Sequence, residues 1–141
     1  MKIILAEKSE KKEILRFYKN QYYSARFLGF DRCYCIKVND EIIASVMISN
    51  IIENSEISFL HALVVGQAWQ HQGLASQLIV HVTKIHPSVI CFADEKLANL
   101  YTKNQMVVIE KPQFTELLPE HLMIRLKTYQ NKQPQLKVFR Y

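Results

Sequence analysis

The 141-residue sequence predicts a single-domain protein of the α/β class. Three observations carry that expectation. The stretch Phe59 to Ser76, FLHALVVGQAWQHQGLAS, passes from an apolar strand, Phe59 to Val65, through a polar loop, Gly66 to Gln72, into a helix. In that helix the apolar positions Leu74, Leu78, Val82 and Ile85 recur at spacings of three and four. The elements around it follow the order strand, one or two helices, three strands, helix, strand, helix, two strands. The length suits one domain with a sizeable core and is short for two.

The elements can be justified in chain order. Lys2 to Ala6 is a short apolar strand. Ser9 is placed to cap a helix running to Asn20, with Ile14, Leu15, Phe17 and Tyr18 on one broad face and Glu10 and Glu13 suiting the first turn. Gln21 to Arg32 is irregular and rich in aromatic and basic residues, a second short helix or a loop. Cys33 to Val38, the polar pair Asn39-Asp40, then Glu41 to Ser49 make a hairpin signal, because Asn and Asp tolerate the positive φ of a two-residue turn. Asn50 to Ser55 is a second turn, and Glu56 to Val65 completes three antiparallel strands. Pro87 ends the helix that follows. Ser88 to Ala93 reads as a buried strand, Asp94 to Asn104 as a helix and Met106 to Glu110 as a strand. Pro112 to Glu116 reads as loop. Pro119 suits the first turn of a helix in which Leu118, Leu122, Arg125, Leu126 and Tyr129 share a face, and Gln135 to Tyr141 alternates as a last strand.

Composition narrows the function classes. At 49% hydrophobic and 22% charged the chain is an ordinary globular one. Its N-terminus, MKIILAEKSEKK, has four consecutive apolar residues before charge begins, which is neither a signal peptide nor a membrane span. A cytoplasmic protein with no membrane partner is expected. Cys33, Cys35 and Cys91 lack the spacing of a structural zinc site and read as buried thiols, so no metal is expected. The net charge of +5 allows an anionic partner, and the cations are spread along the chain with small clusters at Lys8 to Lys12 and Lys127 to Arg140, which read as solvated faces before they read as a nucleic-acid surface.

The start of the central helix is suited to an anion, the alternative being a glycine that only ends the strand or makes a turn. Its first N–H groups have no partner within the helix and carry partial positive charge. Gly73 has no Cβ to hold a diphosphate away from the main chain, and Ala75 and Ser76 keep the next turn small. The run Gln70-His71-Gln72-Gly73-Leu74-Ala75, preceded by Leu63-Val64-Val65, resembles the acyl-CoA-binding motif of the GCN5-related N-acetyltransferases. Gln stands where Arg is commoner and Ala where a second Gly is commoner. A second segment is similar to the family's at Asp94 and Tyr101, and departs from its Gly-Phe at Gln105-Met106.

That resemblance implies the N-acyltransferase fold, a mixed central sheet of six to seven strands flanked by about four helices. It implies acetyl-CoA as the acyl donor and an unidentified primary amine, on a small molecule or a peptide, as acceptor. Amides of Gln70, His71, Gln72, Gly73, Leu74, Ala75 and Ser76 would hold the CoA pyrophosphate. Main-chain groups of Leu63, Val64 and Val65 would pair with the pantetheine arm and polarise the thioester carbonyl. The acceptor would arrive from the side formed by Tyr22 to Phe30 and Lys111 to Lys132, where Tyr22, Tyr23 and Phe27 suit a flat or apolar group or belong to the core.

Acetyl transfer to an amine needs a base, because an alkyl amine has a pKa of about 10, and an acid for the departing thiolate. His61 is the first candidate base. On a regular strand it shares a face with Phe59, Leu63 and Val65 and it titrates near neutral pH; the alternative is a hydrogen-bonded histidine packed in the sheet. Glu56 is the reserve. Tyr101 matches the family's acid on its helix, against a core-edge tyrosine with its hydroxyl in water. His71 contacts phosphate or faces solvent, Trp69 covers the adenosine side or packs on the sheet, and His81 and His86 mark the polar side of the helix. The rival functions are a non-catalytic acyl-CoA sensor of the same fold and a small basic nucleic-acid-binding domain. Monomer and homodimer both stay open, an exposed C-terminal strand being able to pair with a second copy.

Overall fold

Asn39 and Asp40 both take left-handed backbone angles, φ 52° and 65°, and so close the two-residue hairpin that the sequence signals. They join strands β2, Phe30–Val38, and β3, Glu41–Asn50, in a computed structural model that describes residues 2–25, 27, 30–50 and 56–141. The chain forms two compact units, Met1–Val89 and Ile90–Tyr141. Among the described residues it has seven strands and five α-helices. The second turn expected within Asn50 to Ser55 lies outside the described residues from 51 onward.

In the first unit β1, Ile3–Leu5, and β4, Ile57–Val65, flank the hairpin, giving four antiparallel strands in the order β1-β2-β3-β4. Two bulges interrupt the pairing. Ile36 faces Ala44 while Lys37 faces Ile42, so Ile43 is an extra residue on β3. Met47 faces His61 while Ser45 faces Val64, so β4 also carries one residue too many.

Helix α1, Lys11–Asn20, lies on one face of these strands. Its buried residues Ile14, Phe17 and Tyr18 pack with Cys33, Met47 and Ala62, each large side chain contributing about 1.5–3 kcal/mol of apolar burial. Ser9 does not cap it. A 3-10 turn, Lys8–Glu10, precedes the helix, and the Glu10 carboxylate accepts from the Glu7 N–H at 3.0 Å, a reach that an acidic side chain makes and Ser9 does not. That bond, then the Lys37 ammonium at 2.6 Å, holds the Glu10 carboxyl below its ordinary value. No helix forms in the described part of Gln21 to Arg32.

The other face is covered by α2, Leu74–Ile85, through Leu74, Leu78, Ile79 and Val82. Ile85 is exposed instead of closing that apolar row, because the helix ends there and His86 turns inward.

The second unit is built on β5, Ser88–Asp94, from its residue Ile90 onward, with β6, Val107–Ile109, and β7, Leu136–Arg140. Strand β7 lies between the other two, antiparallel to both, with Phe139 facing Cys91 on one side and Val108 on the other. The C-terminal strand is therefore paired along both edges, and the expected exposed edge for a second copy does not exist there. Helix α3, Ala98–Thr102, is shorter than expected because Asp94 ends β5 and Glu95–Leu97 form a 3-10 turn. The loop expected at Pro112 to Glu116 is a 3-10 turn, Lys111–Gln113, running into a short helix α4, Phe114–Leu117. Pro119 caps α5, Glu120–Gln130, from just outside it, and Leu122 and Leu126 are its buried contacts. All three cysteines are free and buried.

Candidate active site

The loop between β4 and α2 is shaped by its main chain. Gly66 sits against β3, its N–H donating to the Ile43 carbonyl at 2.7 Å, and a Cβ there would meet that same oxygen at 3.1 Å. A 3-10 turn, Gln67–Trp69, follows, and the Gln67 N–H donates to the Gln21 side-chain oxygen at 3.1 Å. Gln70 reaches back to donate to the Val65 carbonyl at 3.3 Å. His71 and Gly73 then both take positive φ, 63° and 80°, reversing the chain so that α2 opens directly at Leu74. Gly73 caps the helix with no side-chain hydrogen bond, and a Cβ on it would meet nothing within 4 Å. The glycine thus serves a backbone angle and leaves open space over the first turn. Gln70, His71, Gln72 and Gly73 are exposed, whereas Ala75 and Ser76 are half-buried.

Regular alternation fails in β4 just before that loop. Ala62 has φ 54°, and the Tyr18 hydroxyl donates to its carbonyl at 2.6 Å. Because of the extra residue, Val64 comes to the face that carries Phe59 and His61, while Val65 joins the opposite one. The expectation that Phe59, His61, Leu63 and Val65 share a face is overturned by this bulge. Such bulges bend a strand and re-aim its groups.

His61 is half-buried and held on several sides. Its ring lies parallel to that of Phe59, 14° between planes and 5.4 Å between centroids. Its Nε2 is 2.7 Å from the Ser49 hydroxyl and 3.9 Å from a carboxylate oxygen of Asp31. The Asp31 side chain is 2% exposed. Neither Asp31 nor Ser49 stands out in the sequence. The available signal is the hairpin, which pairs the two strands that carry them, but the Ile43 bulge sets which β3 residues face α1. Glu56 is exposed, just before β4.

In the second unit Tyr101 is on α3 with its ring buried and stacked on Phe139, 5.0 Å between centroids and 24° between planes. Its ring is buried more deeply than that of a core-edge residue. Asp94 accepts from the Lys96 N–H at 2.9 Å. Gln105 takes φ 69°, the left-handed conformation for which glycine is the usual residue, and Met106 is buried after it. The departure at Gln105-Met106 is therefore one of residue type, with the turn itself formed.

His71 is exposed, which fits either of its two readings. Trp69 is half-buried and lines a cleft of about 1360 Å³ with Lys12, Arg16, Phe17 and Gln70. His86 does not mark a polar side. It is buried past the end of α2, its Nε2 3.1 Å from the Tyr34 hydroxyl, and burial pushes its pKa down, helped by Arg32 and His81. His81 packs edge-on against the same Tyr34 ring at 5.2 Å. Tyr22 is almost fully exposed, Tyr23 leans on Tyr18, and Phe27 lies under the Lys11 ammonium at 5.0 Å. Among the described residues no three His, Cys, Asp or Glu side chains gather as metal ligands, and no helix is long and apolar enough to cross a membrane.

A profile of the acetyltransferase (GNAT) family matches residues 2–106. The chain belongs to the acetyltransferase (GNAT) family, and is by that membership an N-acetyltransferase. No curated sequence matches it. Among solved structures it is similar to N-acetylglutamate synthase from Neisseria gonorrhoeae complexed with coenzyme A and N-acetyl-glutamate. That match has a TM-score of 0.70 at 11% identity and covers 99% of this chain and 34% of that one. The chain thus spans about a third of that enzyme. It is similar also to an acetyltransferase of the GNAT family from Streptococcus pneumoniae, TM-score 0.68 at 14% identity, over 99% of this chain and 98% of that one. Spermidine N-acetyltransferase from Vibrio cholerae, in a variant form, matches with a TM-score of 0.66 at 10% identity, over 99% and 94%. At these identities the likeness is one of fold, and the fold is the α/β N-acyltransferase fold.

Proposed function

We propose that this protein transfers an acetyl group from acetyl-CoA directly to a primary amine within a ternary complex. The observation that carries this is the β4–α2 loop, where left-handed His71 and Gly73 present a helix start with no side-chain cap hydrogen bond and with open space at Gly73. Amides from Gln70 to Ser76 hold the pyrophosphate there, since a helix N-terminus offers several donors and partial positive charge to one anion. Leu63, Val64 and Val65, beyond the bulge at Ala62, pair with the pantetheine arm and polarise the thioester carbonyl. Support comes from a neighbour that holds coenzyme A and from one that acetylates spermidine.

The amine nitrogen attacks the thioester carbon, the C–S bond breaks, and the amine proton passes to a base. His61 is that base, directly or through water, with Glu56 in reserve. Tyr101 delivers the proton taken up by the CoA sulfur.

The test is the thermal midpoint with acetyl-CoA, with free CoA and without ligand, followed by thiol release across amines and peptides. Saturation at about 100 times the dissociation constant adds roughly 2.7 kcal/mol, a rise of several degrees in the midpoint. No rise with either ligand at millimolar concentration removes the loop assignment. A rise with no thiol release from any amine favours a sensor over an enzyme. In an active protein Tyr101→Phe lowers turnover by about two orders of magnitude with the acetyl-CoA midpoint shift retained.

A further inference from the structure

Three strands converge on one imidazole. Asp31 on β2 faces Ser49 on β3, and Ser49 faces Phe59 on β4, so the three form one row across the strands. His61 lies two residues further along β4, its ring lying parallel to Phe59 and its Nε2 between the Ser49 hydroxyl at 2.7 Å and the Asp31 carboxylate at 3.9 Å. A stacked ring with one nitrogen tied to a hydroxyl has little freedom to turn about its own axis.

The chemistry of the two partners is directional. A carboxylate accepts hydrogen bonds and donates none, so the ring nitrogen facing it is favoured as N–H. The Asp31 side chain is almost wholly buried, and a charge shielded from water acts strongly on a neighbour a few ångströms away. The other titratable groups described on this face are Cys33, Cys35 and Lys37 of β2, Tyr18 and Glu13 of α1 and Glu10 just before it, and Lys8, Lys11 and Arg32 line a cleft with Asp31. Burial pushes Cys33 up to about 11 and Tyr18 well above the ordinary tyrosine range, so both are neutral at pH 7. A charge that lies 3.9 Å from the His61 ring nitrogen is the Asp31 carboxylate.

We propose that Asp31 is a positioning residue for the transfer: with Ser49 it holds His61 in the Nε2-protonated tautomer and stabilises the imidazolium formed when the acceptor amine gives up its proton. The amine N–H bond breaks, and the proton goes to Nδ1, the nitrogen that carries the lone pair in that tautomer. This inference rests on His61 being the base.

The test has one readout that needs no turnover and one that does. In the full chain with labelled histidine, long-range nitrogen–proton NMR spectra report the tautomer and titration of His61. The wild type shows the Nε2–H form, and in Asp31→Asn the midpoint moves to lower pH. In thiol-release assays the acid limb of kcat/KM for the acceptor moves the same way, with kcat at pH 7 falling about tenfold or more. The thermal shift given by acetyl-CoA is unchanged. An Nδ1–H tautomer, or identical titration in wild type and Asp31→Asn, overturns the positioning role. A shifted NMR midpoint without a shifted kinetic limb overturns His61 as the base and leaves CoA binding to be judged separately. If Asp31→Asn does not fold, Ser49→Ala replaces it: with the carboxylate still in place the Nε2–H form should remain the main one, and a change to the Nδ1–H form in that variant overturns the Asp31 role.

Discussion

Tyr18 shows how much one side chain does in this structure. It is 1% exposed, it fills the space between α1 and the sheet, and its hydroxyl donates at 2.6 Å to the carbonyl of Ala62, the left-handed residue of the β4 bulge. Tyr18→Phe keeps the packing and removes the donor from a buried carbonyl. We expect it to cost about 1–3 kcal/mol in urea unfolding, and a cost near zero would mean that water replaces the hydroxyl. His61 illustrates what could be read beforehand and what could not. Its strand and its proximity to the loop follow from FLHALVVG. Its partners do not, because counting alternately along β3 from Ile42 puts Ala44, Val46 and Ile48 on the α1 face. The extra residue Ile43 substitutes Ser45, Met47 and Ser49.

At the scale of elements, the turn residues were the most legible part of the chain. Asn39-Asp40 and Gly73 each announce a backbone angle that few other residues adopt, and both angles are present. For α2 this yields a separable prediction. Gly73→Asn retains a residue that tolerates the left-handed region, and no protein atom lies within 4 Å of the added Cβ. The variant should fold with a loss of about 1 kcal/mol or less, yet lose the thermal shift given by acetyl-CoA, because the Cβ enters the space assigned to the pyrophosphate. A variant that folds and keeps the full shift would contradict that assignment. The elements least legible were the short ones. The turn at Lys111–Gln113 and α4 bury too few residues to leave a periodic trace, and β7 alternates like an edge strand although both its edges are paired.

At the scale of the molecule, stability should depend on pH through buried His86 and half-buried His121. Burial lowers the pKa of His86, reinforced by Arg32 and His81, and burial with Arg125 lowers that of His121. Both groups bind protons more tightly unfolded than folded, so the unfolded chain gains protons first as pH falls. Their contribution is fully present above the unfolded value of about 6.5 and is lost progressively below it. The thermal midpoint should therefore decline from pH 7.5 to 5, before the Glu10 carboxylate titrates. His86→Gln should lower the midpoint at pH 7.5, where the Tyr34 partner is lost, and flatten the decline. An unchanged slope would place the dependence elsewhere.

By itself the sequence determined the class of the fold, the order of its strands and helices, the hairpin and the glycine at the start of α2. These follow from local chemistry: which residues alternate, which recur every three or four, and which accept a positive φ. The matched family and the fold agree with that reading. Only the tertiary structure decided which side chains meet. Two bulges, each a single extra residue, set the register of β3 and β4, and a shift of one residue exchanges the faces of a strand. That is why Ser49 and Asp31 gather at His61; the burial of His86 past the end of α2 and the pairing of the last strand on both edges are likewise tertiary outcomes. Contacts of this kind join residues 12 to 52 positions apart, as Ser49 to His61 and Tyr34 to His86, and no local pattern carries them.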